Sequence, residues 1–446
     1  MTSAELHYEK MTKTPVSRLI MKLGLPTTVS MLITSIYNMA DTYFVGTLGE
    51  SAQAATGILF ALQAVIQGLA FMFGHGSGSY VAKSLADRDI KAASTFVSTA
   101  FFSGAVIGAL LSSSGLCLLS PLMRLLGSTE TILPYAKDYG MWVLISCPFV
   151  ICSLILNNNL RYEGKAFYAM FGLTAGGILN IFGDYYLVSV KGMGVYGAGL
   201  STAVSQFISF LILLILYFKK AQSTISVRYI SKHFKTYLDI CRVGLPSLIR
   251  QGLTAISGSL LNNLTKPFGD AAIDAMAVVN RYSNFVMCVG LGLGQGFQPV
   301  AAFNYEAREY RRVKKGLLFT TFFGMIFVAC LSVFSFIFAE QIIRLLQSNI
   351  EVVKIGKTAL RFAAIGLLFM PLSVPVNMLY QSIQKAGVAS FLSTMRSGAL
   401  LIPALAIGVP LLGLTGVQIA QPMADILTGL ISIPFIVHFL RNKEKR

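Results

Sequence analysis

The residues of this chain best placed to do chemistry are carboxylates set inside apolar runs. Asp41 lies deep in the first long run with Asn38 one helical turn before it, and Asp184 lies inside the fifth with Asn180 one turn before it. Side chains three or four apart share a helix face, so each run presents an Asn–Asp pair. Thr202, in the sixth run, adds a hydroxyl. An isolated charge in a hydrocarbon interior is costly, so such a group neutralises, pairs or binds a cation. Two carboxylates brought together suit the uptake of H+ near neutral pH, or the holding of Na+ with Asn and Thr oxygens. No intramembrane Lys or Arg stands out as their partner. Tyr37, Asn38, Gln206, Gln295, Gln298 and Asp425 are the polar side chains expected to line an adjoining substrate cavity. Gln295, Gln298 and Asn304 also suit helix–helix hydrogen bonds.

Other polar residues read more plainly. Gly74, Gly76 and Gly78 form GxGxG inside an apolar run, where close helix packing is expected rather than phosphate binding. His75 among them is expected to be satisfied locally. Glu163 and Glu306, beside Arg161 and Arg308 at helix ends, are expected to form surface ion pairs, with gating as the alternative. The six cysteines share no close metal-type spacing and suit apolar packing. No cofactor is expected, and no metal beyond Na+ at Asp41 and Asp184. A membrane enzyme would need a carboxylate or His/Asp cluster near one face; Asp87 and Asp89, between Lys83, Arg88 and Lys91, are a poor substitute.

The elements that must position these residues follow from composition. The chain has 446 residues, 54% hydrophobic and only 12% charged. Apolar runs long enough to span a bilayer recur along it, for example over 97–119 and 317–339. With no water to satisfy the backbone, such spans are helices, and the alternation of a β-barrel is absent. The net charge of +17 suggests nucleic acid at first sight. Its placement excludes that reading: 25 Lys and Arg fall on the N-terminus, the even-numbered connections and the tail, and seven on the odd-numbered connections. The positive-inside rule then puts both termini in the cytoplasm of a bacterial inner membrane and requires an even number of spans. Arg250, Arg281, Arg361 and Arg396 are expected inside spans but near their ends.

An internal repeat sets the architecture. Gly24-Leu25-Pro26 recurs as Gly244-Leu245-Pro246, Gly74 and Gly76 as Gly294 and Gly296, Arg88-Asp89 as Arg308-Glu309, and Asn157 as Asn377, all at an offset of 220. Leu125-Leu126-Gly127-Ser128 likewise recurs as Leu345-Leu346-Gln347-Ser348. Six spans per copy make the repeat parallel, a design in which binding lies between halves that rock against each other. The fold expected is all-α and integral to the membrane. Twelve transmembrane helices form two six-helix bundles, an N-lobe over 1–218, a cytoplasmic linker over 219–236 and a C-lobe over 237–446. Pro26 and Pro246 each sit about two turns into the first helix of a half, where each removes a backbone hydrogen bond and can act as kink or hinge. The repeat offset carries Asp41 to Leu261 and Asp184 to Ala404, so ion chemistry is expected in the first half alone.

The two parallel halves, the Gly-Leu-Pro at the start of each, and Asn38-Met-Ala-Asp41-Thr-Tyr-Phe-Val-Gly46 resemble the MATE (multidrug and toxic compound extrusion) family. Gly192-Met-Gly-Val-Tyr-Gly-Ala-Gly-Leu-Ser-Thr202 and Gly294-Gln-Gly-Phe-Gln-Pro299 are similar to its later segments. The resemblance implies efflux of lipophilic, often cationic, small molecules in exchange for H+ or Na+. It implies a cation site at Asp41, Asn180, Asp184 and Thr202. The stretch Gln251-Gly-Leu-Thr-Ala255 lacks the acidic residue of the NorM-type branch, which points to the DinF-like and MepA-like branches. Gly183-Asp184-Tyr185 departs from the Leu-Asp-Pro of many members, with altered bending of the fifth helix expected. Partners expected are a small-molecule substrate and membrane lipids, with no nucleic acid and a monomeric chain. The main alternative is a flippase for lipids or lipid-linked oligosaccharides in the same superfamily, which would want a cationic cavity.

Overall fold

The computed structural model describes residues 3–347 and 349–441. Ser348 of the repeat, and Lys443, Lys445 and Arg446 of the basic tail, lie outside them. The described residues contain no strand. Helix α1 (Ser3–Lys13) precedes α2 (Val16–Gly46), α3 (Glu50–Ala86), α4 (Ile90–Cys117), α5 (Leu119–Leu125), α6 (Leu133–Tyr162), α7 (Ala166–Asp184) and α8 (Gly194–Lys220). The second copy runs through α9 (Phe234–Thr265), α10 (Asp270–Glu306), α11 (Tyr310–Ile337), α12 (Ala339–Leu346), α13 (Ile350–Leu367), α14 (Met370–Ser382), α15 (Ala386–Thr394), α16 (Leu401–Leu412) and α17 (Leu414–Arg441).

Among the described residues ten helices or helix runs are long and apolar enough to cross a membrane, and α13 with α14, bent by 48°, makes an eleventh if the pair is one span. The expected count is twelve. Helix α9, the copy of α2 at the repeat offset, is not among these helices. It has 32 residues, enough to span, but Lys235, Asp239, Arg242 and Arg250 lower its mean hydropathy.

The repeat is legible in backbone conformation as well as in residues. Arg88 and Arg308 both turn left-handed, at φ 61° and 59°. Each ends a long helix with the same wrapped carbonyl: Asp89 N donates to Ser84 O and Glu309 N to Asn304 O, both at 2.8 Å. Asp89 then caps α4 through the Ala92 amide at 2.8 Å. Asn157 donates to the Ala169 carbonyl at 2.8 Å and Asn377 to that of Ala389 at 2.7 Å. Each bond ties the fourth span of its half to the fifth.

The chain forms two compact units that do not coincide with the lobes as the repeat delimits them. Residues 1–13 and 25–252 make the first; Thr14–Gly24 and the chain from Leu253 onward make the second. In the first unit the start of α9 packs against α3 through glycines. A Cβ on Gly76 would lie 2.1 Å from the Ile240 carbonyl oxygen, and one on Gly244 would lie 1.9 Å from that of Met72. His75, fully buried, joins Ser247 through Nδ1 at 2.8 Å and meets Arg161 through Nε2 at 3.3 Å. It pins α3, α6 and α9 together, as local satisfaction required. Gly74 and Gly78 admit Asn158 and the Tyr162 ring in the same way, so the GxGxG run is a packing surface. In the second unit Gly296 meets Gly24, where a Cβ would stand 2.4 Å from its Cα.

Glu163 departs from its expected surface pairing. It is fully buried and accepts from Gln222 N at 2.6 Å and from Ser223 N at 3.1 Å. Arg161 turns inward instead, to Asn158 and His75. Glu163 thus fastens the linker, which continues along α4: Thr224 N donates to Ser94, Ser226 N to Ser98 and Ser231 N to Thr99. A carboxylate facing paired amides gives up little hydration, which explains burial at a helix end.

Helix α1 docks nearby, with His7 and Met11 over Gly164 and Tyr8 beneath the Arg88 guanidinium at 4.9 Å. Burial, with Lys165 and Lys10 close by, pushes His7 down to about 4. The docked helix excludes a proton that a freed helix binds below the ordinary histidine value of ~6.5. Docking is therefore fully stabilised above that value and weakens as pH falls through it towards 4. The loss is on the order of 3 kcal/mol. A spin label at Glu5 is expected to gain mobility across this window, and His7→Leu to remove the pH dependence. Unchanged label mobility at the acid end would refute it.

Candidate cation and substrate site

The site is built from four helices of the first unit. On α7, Asn180 and Asp184 stand one turn apart, 2% and 0% exposed. The close approach of α8 is set by Gly183, where a Cβ would lie 2.4 Å from Ser201 Oγ. That contact brings Asn180 Nδ2 to Thr202 Oγ1 at 3.1 Å, and within α7 the same amide donates to Asp184 Oδ1 at 3.5 Å. Ser201 Oγ donates back to the Asn180 carbonyl at 3.1 Å. After Asp184 the helix loosens into π turns over Tyr185–Val190, where the family resemblance had led us to expect altered bending. Asp41, on α2, accepts from Tyr139 Oη of α6 at 2.8 Å and is a close neighbour of Asp184. The four residues expected at the cation site, Asp41, Asn180, Asp184 and Thr202, are therefore one cluster.

Asp41 Oδ1, Asp184 Oδ2 and Asn180 Oδ1 are buried oxygens with no hydrogen-bond partner among the described residues. Oxygen acceptors left so in a low-dielectric interior are what a proton or a small hard cation satisfies. Asp41 is also the link to a cavity lined on its polar side by Tyr37, Asn38, Gln63, Gln67, Tyr139, Ser146, Thr202 and Gln206. Asp184 does not line it.

Tyr37, Asn38 and Gln206 thus reach the expected cavity, whereas Gln295, Gln298 and Asp425 belong to the second unit and do not line it. Gln298 Nε2 donates to Gln381 Oε1 at 3.3 Å, a helix–helix bond as its chemistry allowed. Asp425 accepts from Arg396 Nε at 2.7 Å and from Gln421 Nε2 at 3.0 Å. Arg396 is not a snorkelling residue near a helix end; it faces inward from π turns over Met395–Ala399. Tyr139, Ser146, Ser201, Gln63 and Gln67 are the residues that sequence reasoning missed. Ser201, adjacent to Thr202, could have been found by asking which hydroxyls face Asn180; nothing in the sequence marks Tyr139. Pro26 and Pro246 lie inside α2 and α9, and the passage between units at Gly24–Leu25 falls beside Pro26.

Comparison with known proteins bears on the whole chain. The Multidrug export protein MepA of Staphylococcus saprophyticus subsp. saprophyticus is 27% identical over 99% of this chain and 98% of its own. A crystal structure of MATE in complex with MaL6 superposes with a TM-score of 0.91 at 23% identity, covering 99% of this chain and 100% of that one. The outward-facing conformation of a multidrug resistance MATE family transporter of the MOP superfamily gives 0.90 at 23%, over 97% and 98%. These two similarities establish the all-helical membrane fold. The family model described as MatE matches residues 26–186 and again 246–407, one match to each copy of the repeat. With a match to both copies and a fold shared from end to end, the chain belongs to the MatE family of membrane transporters.

Proposed function

We propose that the chain is a multidrug exporter that moves lipophilic cations outward in exchange for H+ or Na+ bound at Asp41 and Asp184. One observation carries the reading: Asp41 both lines the cavity and is a close neighbour of Asp184, which does not line it. An ion arriving at the pair changes the charge that a bound cation feels. The cavity offers one carboxylate among amides and phenols, with Ile66, Val143 and Val150 as its apolar wall. That composition favours a monovalent lipophilic cation over an anion. The Multidrug export protein MepA, 27% identical over nearly its full length, supports export as the direction. In cells lacking their own pumps, a cationic dye is expected to be kept out and an anionic dye of similar size to accumulate. Selective export of the anion would reject the reading.

The same proposal places both termini in the cytoplasm, from the charge split of 25 against seven. Reporter fusions within 221–235 and at the C-terminus are expected to read cytoplasmic, and one near 346–352 external. The opposite pattern would overturn the orientation and the direction of transport with it.

A further inference from the structure

Each half of the molecule holds carboxylate chemistry inside its helices, but only one half leaves it open. Asp425 is 4% exposed, and the Arg396 side chain opposite it is 16% exposed. Arg396 lies ten residues into the run that opens α15, and Asp425 eleven residues into α17, which enters from the other side. At a helical rise of ~1.5 Å per residue each is about 15 Å deep, near the middle of a hydrocarbon layer of ~30 Å. The repeat offset carries Arg396 to Gly176, and Asp425 at one residue less to Gln206, so the first half has no copy of the pair. The guanidinium is aimed by the π turns, which are held from α9 by Thr254 on Ser397 Oγ at 3.3 Å and Ser257 on the Ser397 carbonyl at 2.5 Å.

The neighbours of Asp425 supply no other charge. Helices α14 and α16, which pack on α17, carry no acidic or basic side chain, and the phenol of Tyr380 on α14 donates to the Phe435 carbonyl at 3.2 Å. On α13, Glu351 and Lys354 are exposed, Lys357 pairs with Glu340 at 2.8 Å, and Arg361 Nε donates to the Phe336 carbonyl at 3.2 Å. Among the described residues the side chains that donate to Asp41 and Asp184, Tyr139 and Asn180, are neutral. We propose that Arg396 is a covalently tethered counter-ion. It occupies the cation position of a second intramembrane carboxylate site, and so leaves the first half as the one place where a diffusible ion binds. This deepens the exchange reading above. It also assigns a latent site for a monovalent cation, H+ or Na+, at Asp425, with Gln421 beside it.

The test counts ions. Purified transporter in nanodiscs is titrated for protons bound, and separately for sodium bound, in the wild type, Arg396→Gln, Arg396→Lys and the double variant Arg396→Gln/Asp425→Asn. Arg396→Gln is expected to bind one ion more per chain than the wild type. Arg396→Lys and the double variant are expected to match the wild type. An unchanged count in folded Arg396→Gln overturns the proposal, because the pair is then a packing device alone. If Arg396→Gln does not fold, the double variant decides. Removing both charges should restore a folded exporter with the wild-type ion count and gradient dependence, and a lost gradient dependence there overturns the proposal equally. The increment is read against the wild type. Failure of ion binding at Asp41 would show as a changed wild-type count, separately from the result at Arg396.

Discussion

Asp41→Asn is expected to yield a transporter that folds and inserts but no longer drives efflux from an imposed ion gradient. The amide keeps the size of the side chain and an oxygen for Tyr139 Oη, now 2.8 Å from the carboxylate. It loses the titratable charge, and a buried neutral amide is cheaper in hydrocarbon than a carboxylate. The rate of gradient-driven efflux should fall to that of vesicles without the protein. Asp184→Asn should do the same, since Asp184 sits fully buried behind Asp41 and its Oδ2 is an acceptor with no partner among the described residues. Asp425→Asn should keep its gradient dependence, because its charge is matched by Arg396 at 2.7 Å and lies in the other unit. Efflux is to be compared at matched membrane expression. Coupling retained in Asp41→Asn, or lost only in Asp425→Asn, would put the ion site elsewhere.

Gly244→Ala is expected to be the most damaging small substitution in the first unit. Its Cβ would stand 1.9 Å from the Met72 carbonyl oxygen, a backbone atom of a long helix that cannot rotate away. Helix α9 would have to lift from α3, breaking the His75–Ser247 bond with it. A loss of about 2–4 kcal/mol is expected, at the upper end of overpacking. Gly76→Ala, facing the Ile240 carbonyl at 2.1 Å, should behave alike. Gly258→Ala, further along α9 with nothing within 4 Å of its Cβ, is the control and should be neutral or slightly stabilising. Half-inactivation temperature in detergent, read by fluorescence size-exclusion, separates them. Equal temperatures for Gly244→Ala and Gly258→Ala would show that the α3–α9 contact is not close-packed.

Much of this molecule was determined by sequence alone. Hydrocarbon forces every backbone group into a helix, so runs of apolar residues state the fold class and the distribution of Lys and Arg suggests its orientation. The offset of 220 recurs in the φ angles of Arg88 and Arg308 and in the bonds of Asn157 and Asn377, because a duplicated segment folds to the same local minima. Helical periodicity put Asn180 and Asp184 on one face. Periodicity is a statement about one helix, however, and the remaining questions concern which faces meet. That Tyr139 reaches Asp41 depends on the angle at which α6 passes α2, and that Asp184 lies behind the cavity wall depends on the Gly183–Ser201 contact. Glu163 was buried by a linker sixty residues away, and Arg396 was turned onto Asp425 by π turns that no residue type announces. The exchange of 14–24 and 237–252 between compact units is likewise invisible in a repeat that counts residues in order. Tertiary structure decided these points because desolvation of a buried polar group is relieved by whichever partner arrives within about 3 Å, and chain order does not say which one that is.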